Sequence, residues 1–289
     1  MPKKSQYQVL AEKWTNRHRI LQTEIFDKHK DAFKWLADNS KQLAVGSLAS
    51  IFLLASPAAA KIPNFISSTS AQVTQAVDKK VFLVYDLKNV LPNEVRSLTF
   101  EEEASVGAVL TRDFGMQVTA ELDGKRLNTS YGLIGQEQHL PRFPGDNIFN
   151  HFSSQEEADK YWAYGVTPGL GAWGYFTDSA ATLTQTDIDR EKYYIAVQTF
   201  LAPGFDSNPK EYVDFFKYRK MLVVNPQNGK AIVADIADAG PSPWTGKQLG
   251  GSPEVMNYLE RFDGQQRGPV LYYFIDDPND TIPLGPVQY

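Results

Sequence analysis

Residues 221–239, MLVVNPQNGKAIVADIADA, constrain the fold more than any other part of the chain. Two apolar runs flank a short polar stretch that contains Asn228 and Gly229. Asn-Gly readily adopts the positive φ angles that tight hairpins require, so the pattern predicts two antiparallel strands joined by a short turn.

Other short runs near this hairpin are rich in aromatic and β-branched residues and are separated by turn residues: GAWGYF, KYYIAVQTF and GPVLYYFIDD. One helix is predicted to begin at Ser252, with Pro253 at its first position. Five or six short strands and one helix in about 120 residues favour a small closed barrel at residues 165–289.

Residues 221–259 also contain asparagine, glycine and charged residues in a recognisable order, namely Asn225, Asn228, Gly229, Lys230, Asp238, Gly240, Pro241, Gly246, Lys247 and Ser252. The pattern resembles the core of the double-psi β-barrel of the rare-lipoprotein-A-like family. Expansins and one class of lytic transglycosylases have more distantly similar barrels. The resemblance implies a six-stranded double-psi β-barrel that binds or remodels peptidoglycan or another wall glycan.

The chain departs from the family pattern at its catalytic position. Lytic members of the family have an Asp two residues before the helix-capping Ser, and here that residue is Gly250. If the protein is an enzyme, the resemblance implies a lytic transglycosylase-like activity with Asp238 as the acid. Asp238 precedes a Gly-Pro corner, where an Asp usually caps backbone N–H groups, so we expect glycan binding in preference to cleavage.

Candidate glycan-binding residues are aromatic or polar residues near this corner. Trp244 lies in a Pro/Thr/Gly loop, where a buried role needs a special explanation, and Thr245 and Lys247 follow it. Trp173 and Tyr175 belong to the GAWGYF run. Most of the other aromatic residues are expected in the core, because small barrels need large interior side chains.

The N-terminal part of the chain suggests export. Residues 1–41 contain nine Lys or Arg and five Asp or Glu and are predicted to form amphipathic helices, whereas residues 42–60 contain no charge. A basic segment before an apolar run is typical of an N-terminus on the inner side of a membrane. Residues 42–60 are therefore either a transmembrane anchor or a signal sequence cleaved after Ala60, which places the rest of the protein in the cell envelope.

Residues 61–79 read as a linker, and residues 80–164 are predicted to form a small α+β domain. Within it we expect a strand at 80–87 and a helix over roughly 100–113 with a Thr99 capping box. A turn at 123–124 and a short helix after Ser153 or Ser154 complete the prediction. The fold class is thus a mainly β C-terminal barrel, a small α+β domain and a helical, membrane-anchored N-terminus.

Composition and motifs exclude several other functions. The net charge of −5 indicates no general affinity for nucleic acid, because phosphate binding needs a basic face, and the absence of cysteine excludes thiolate chemistry. A metal-dependent hydrolase centred on Glu137, His139 and His151 is an alternative, although their spacing matches no standard zinc motif and structural roles are expected. No cofactor is predicted. A non-catalytic envelope protein that binds a protein partner is the remaining alternative.

Overall fold

The computed structural model describes residues 69–261 and 267–288. The strands are β1 (Val118–Thr119), β2 (Glu121–Leu122), β3 (Lys125–Arg126), β4 (Tyr131–Gln136), β5 (Tyr194–Val197), β6 (Lys220–Val224), β7 (Ala231–Ala239), β8 (Leu249–Gly251), β9 (Arg267–Ile275) and β10 (Gly285–Pro286). The α-helices are α1 (Thr69–Val90), α2 (Phe100–Phe114), α3 (Gln155–Tyr161), α4 (Gln185–Lys192), α5 (Pro209–Phe216) and α6 (Pro253–Tyr258).

Six of the strands close into a barrel, as predicted. Strand β4 pairs with β9 antiparallel and with β8 parallel, and β8 pairs with β5 antiparallel. Strand β5 pairs with β7 parallel, and β6 closes the circle by pairing antiparallel with both β7 and β9. The short strands β1 and β10 extend the sheet from β9 and β7. The barrel therefore combines four antiparallel and two parallel strand pairs.

The predicted hairpin at 221–239 is confirmed as β6 and β7, with Val224 opposite Ala231 and Gly229 at φ +75°. Both faces of β6 are buried. Met221 and Val223 belong to one apolar cluster with residues of β4, β5, β8 and β9, whereas Leu222 and Val224 belong to a second cluster with α1 and α2. Burial on both faces explains why the strand is apolar throughout instead of alternating.

Helix α2 confirms the prediction over 100–113. The Thr99 side chain accepts a hydrogen bond from the Glu102 backbone N–H, the Glu102 carboxylate accepts one from the Thr99 backbone N–H, and Gly115 ends the helix at φ +66°. The strand predicted at 80–87 is wrong, because these residues lie in α1, which also includes part of the predicted linker. Leu83 and Leu87, one helical turn apart, are fully buried in the second cluster, and a period of four residues fits a helix.

Other boundaries also differ from expectation. Strand β4 at 131–136 is part of the barrel although it precedes residue 165, because it pairs with both β8 and β9. Residues 80–164 and 165–289 lie within one compact unit, Ser68–Tyr289. The GAWGYF run is a turn and not a strand, since Gly171 and Gly174 form only an isolated bridge and Gly174 has φ +81°.

Two helices that sequence patterns did not reveal are α4 and α5. Helix α4 begins at a capping box formed by Thr184 and Asp187, and it places Glu191 in the interior. Helix α6 begins as predicted at Ser252, whose side chain accepts a hydrogen bond from Val255. The predicted amphipathic segment 1–41 and the apolar run 42–60 lie outside the described residues, among which no helix has the length and hydropathy to cross a membrane.

Candidate functional site

A pair of glycines forms the floor of the candidate site. Gly135 of β4 and Gly250 of β8 are partners in the parallel register. A Cβ atom on Gly135 would lie 2.1 Å from Lys247 Cδ, and one on Gly250 would lie 2.4 Å from Glu137 Oε1. Both distances are far below van der Waals contact, so the two side chains lie directly on the glycine backbone. We call Gly135 and Gly250 the glycine shelf.

Above the glycine shelf, Lys247 and Glu137 form an ion pair. Lys247 Nζ lies 2.9 Å from Glu137 Oε1, and the two side chains are 16% and 29% exposed. The Glu137 backbone N–H donates to Gly251 O at 2.9 Å, which continues the β4–β8 pairing by one residue and fixes where the carboxylate begins. The pair is therefore held by the barrel and still reaches solvent.

The loop before Lys247 presents Trp244 to solvent. Residues Pro243–Thr245 form a 3₁₀ turn in which Thr245 Oγ1 donates to Ser242 O at 2.7 Å. Gln198 Nε2 donates to Pro241 O at 3.0 Å and to Lys247 O at 3.2 Å, so one amide ties both ends of the loop to the barrel. Trp244 is nonetheless 86% exposed. A large apolar ring on a fixed loop is available for contact with a ligand.

The other predicted aromatic residues lie on the turn 171–176. Trp173 is half-buried and its indole N–H donates to Ile236 O at 2.9 Å, which fastens the turn to β7. Tyr175 is 39% exposed. Their contribution to glycan binding remains a prediction.

Asp238 caps the same turn. Its Oδ1 accepts hydrogen bonds from the backbone N–H groups of Ala172 at 2.7 Å and Ala239 at 2.8 Å. Burial raises the pKa of the Asp238 carboxyl, and the two backbone hydrogen bonds oppose that rise. The side chain therefore joins the 171–176 turn to the end of β7, and one of its oxygens is already engaged.

Glu137 lies with Lys247 and Gly250, apart from the two histidines. The sequence makes it a possible metal ligand beside His139, but in the structure its carboxylate lies against Gly250. The parallel pairing of β4 with β8 brings these positions together. No sequence signal identified that pairing, because β8 is only the three residues Leu249–Gly251 and two of them are glycine.

A second cluster of titratable groups is buried beside the first. His139 Nδ1 lies 3.1 Å from Glu191 Oε1, and His151 Nδ1 lies 3.1 Å from Glu191 Oε2. His151 Nε2 lies 3.0 Å from Asp146 Oδ2. The structure thus brings the two predicted histidines together, and the acid beside them is Glu191, whereas Glu137 pairs with Lys247.

Hydrogen bonds in this cluster favour the charged forms of Glu191 and His151. Burial raises the pKa of Glu191, but hydrogen bonds with His139 and His151 outweigh burial and bring it to about 2. Burial lowers the pKa of His151, and its contacts with Asp146 and Glu191 outweigh that effect and raise it to about 9. Burial, with the nearby charge of Glu191, raises the pKa of Glu254 to about 8.

Tyr194 separates the two clusters. This fully buried residue of β5 donates its hydroxyl hydrogen to Gln138 O, the carbonyl between Glu137 and His139. Glu137 points to the glycine shelf on one side, and His139 points to Glu191 on the other. The segment 137–139 therefore contributes to two sites with different chemistry.

Comparison with known proteins identifies no family for the chain. No protein-family model matches the chain, and no curated protein is detectably similar to it.

Proposed function

We propose that the protein is a membrane-tethered component of the cell envelope whose barrel, of the double-psi type, binds peptidoglycan or another wall glycan. The observation that carries the proposal is the exposed Trp244 ring on a fixed loop that continues into the Glu137–Lys247 ion pair. The resemblance of residues 221–259 to wall-binding barrels supports it. We define the glycan site as Trp244, Thr245, Lys247, Glu137 and the glycine shelf.

The chemistry of this surface suits a sugar. A pyranose ring has apolar C–H faces that pack on an aromatic ring and hydroxyl groups around its edge that need hydrogen-bond partners. Trp244 offers the aromatic face, and the Lys247 ammonium and Glu137 carboxylate offer a charged donor and a charged acceptor. Charge-assisted hydrogen bonds are stronger than neutral ones, so the ion pair adds specificity to the apolar contact.

Binding is favoured over cleavage by the state of the two acids. General-acid catalysis needs a carboxylic acid whose proton reaches the glycosidic oxygen. Asp238 Oδ1 is engaged by two backbone N–H groups, and Glu137 Oε1 is engaged by Lys247 at 2.9 Å. One oxygen of each acid is therefore already engaged by a donor, which favours binding over proton transfer.

The test is sedimentation of the purified full chain with insoluble peptidoglycan. Trp244→Ala is expected to weaken binding by about 2 kcal/mol, roughly thirty-fold, as is typical of an exposed aromatic anchor. Trp162→Ala is the matched control, because Trp162 is 59% exposed on a different 3₁₀ turn, Trp162–Tyr164. Equal binding by both variants would refute the role of Trp244, and a wild-type protein that stays in the supernatant would refute the proposal.

The same preparation separates binding from lysis. Clearing of a peptidoglycan gel by the wild-type protein, and its loss in Glu137→Gln or Asp238→Asn, would replace binding with lytic transglycosylase-like cleavage. Retention on peptidoglycan without clearing supports the proposal. Retention on a protein fraction of the envelope alone supports the alternative of a structural protein-binding role.

The proposed tether rests on residues 42–60, and its test is independent of the glycan. Cell fractionation followed by N-terminal sequencing distinguishes the two forms of the proposal. A mature N-terminus at Lys61 indicates cleavage after Ala60, and an intact N-terminus in the membrane fraction indicates an anchor. Recovery of an intact chain in the cytosol would refute both.

A further inference from the structure

The buried cluster around Glu191 brings together four side chains from four segments of the chain. His139 follows β4, and His151 ends the 3₁₀ helix Ile148–Asn150. Glu191 lies in the last turn of α4 and Glu254 in the first turn of α6. All four side chains are at most 8% exposed. The proposed glycan site uses none of them.

Distances within the cluster match those between ligands of one small cation. The ligand atoms of His139, His151 and Glu191 lie within 4.8 Å of one another, and the two imidazole–carboxylate separations are both 3.1 Å. Bonds of about 2.0–2.1 Å in tetrahedral geometry place neighbouring donor atoms about 3.3–3.4 Å apart. Small shifts of these side chains are therefore enough to admit a metal ion.

Glu254 supplies the observation that a simple hydrogen-bonded network does not explain. Its Oε2 lies 4.0 Å from His139 Nδ1, is buried, and has no hydrogen-bond partner among the described residues. A buried carboxyl oxygen without a hydrogen-bond partner costs free energy. A cation between Glu254, His139 and Glu191 would remove that cost, because each oxygen and nitrogen would then face a positive charge.

The surroundings of His151 follow the arrangement found behind many metal-binding histidines. One ring nitrogen faces Glu191, and the other lies 3.0 Å from Asp146 Oδ2. Asp146 is itself fixed by the Arg142 backbone N–H, which donates to its Oδ2 at 2.9 Å. A carboxylate behind a histidine orients the ring and strengthens the opposite nitrogen as a ligand.

We propose that His139, His151 and Glu191 bind one divalent transition-metal ion, and that Glu254, whose Oε2 lies 4.0 Å from His139 Nδ1, moves in as the fourth ligand. Two imidazole and two carboxylate ligands form a nitrogen–oxygen set that suits zinc(II). The site is closed, since all four side chains are at most 8% exposed. The ion therefore acts structurally, joining the 137–151 segment to α4 and α6 at the back of the segment that carries Glu137.

The first experiment is metal analysis of the purified full chain after zinc loading and removal of unbound ion. One zinc per chain, a melting temperature that rises with added zinc and falls with a chelator, and the visible spectrum of tetrahedral cobalt(II) after substitution are the expected results. Magnesium is expected to have no effect, because it prefers octahedral oxygen sites. The proposal is overturned if the protein contains no zinc and its melting temperature changes with neither zinc nor the chelator.

Variants locate the ion. Glu254→Gln and Glu191→Gln are expected to lose zinc binding and the cobalt(II) spectrum. Glu157→Gln is the matched control, because Glu157 is an acid on the neighbouring helix α3 that pairs with Lys192 instead. Zinc retained by Glu254→Gln and Glu191→Gln would overturn the proposed ligands. If these variants do not fold, the wild-type zinc and chelator measurements decide the question alone.

Discussion

The contact between Gly250 and Glu137 is the geometric basis of the proposed site, and Gly250→Ala tests it. The added Cβ atom would lie 2.4 Å from Glu137 Oε1, 2.5 Å from its Cγ and 2.8 Å from its Cδ. Ordinary contact is roughly 3.5 Å, so the side chain must move away by about 1 Å. Because Cγ is among the close atoms, rotating the carboxylate alone does not relieve the contact. The whole side chain must change rotamer and leave Lys247.

The expected cost of Gly250→Ala follows from these contacts. Overpacking of this kind typically destabilises a protein by about 1–3 kcal/mol. Loss of the partly exposed ion pair adds only about 0–1 kcal/mol. In a Glu137→Ala background all three close atoms are absent, and Ala is favoured over Gly in a strand by roughly 0.5–1 kcal/mol. In the Glu137→Ala background we therefore expect Gly250→Ala to leave the free energy of unfolding unchanged or to raise it slightly.

The assay is urea unfolding of the wild type, both single variants and the double variant, compared by free energy of unfolding and by slope. The coupling between the two substitutions should be about 1–3 kcal/mol, with the double variant more stable than the sum predicts. Gly251→Ala is the control: its Cβ would contact Ile134, Val255 and Met256 instead, so its cost should add to that of Glu137→Ala. Additivity of Gly250→Ala with Glu137→Ala would refute the shelf geometry.

Two further predictions concern the barrel. Asp235 is 1% exposed and burial raises the pKa of its carboxyl well above the ordinary value, so the folded state keeps a proton that the unfolded state loses near pH 3.9. The free energy of unfolding should therefore fall by about 1.4 kcal/mol per pH unit above that pH until the folded carboxyl ionises. Urea unfolding should show Asp235→Asn more stable than the wild type at pH 7 but not at pH 4. The reverse result would indicate that Asp235 is ionised and paired with Arg190. Leu222→Ala should lower the free energy of unfolding by about 2–5 kcal/mol in the same assay. Phe82 is 62% exposed, so Phe82→Ala should change it by no more than about 0.5 kcal/mol. Equal losses for the two variants would contradict the burial of both faces of β6.

Local patterns predicted the elements whose cause is local. The α2 capping box at Thr99 and Glu102, the Asp-Gly turn at 123–124 and the Ser252 cap each depend on residues within a few positions, and all are present. The strand prediction at 80–87 failed because the apolar residues of this run fit a strand and a helix equally. Packing of Leu83 and Leu87 against the barrel decides for the helix, and packing is a property of distant residues.

The site depends on contacts that no local pattern contains. Two glycines far apart in the sequence, Gly135 and Gly250, become neighbours only because β4 and β8 pair in parallel. Sequence alone shows only that residue 250 is a glycine, whereas the structure shows the space above it filled by the carboxylate of Glu137. Adding an acid at 250 and keeping Glu137 in place are mutually exclusive, because both need the same volume. The Glu137–Lys247 ion pair on the glycine shelf therefore requires that residue 250 have no side chain.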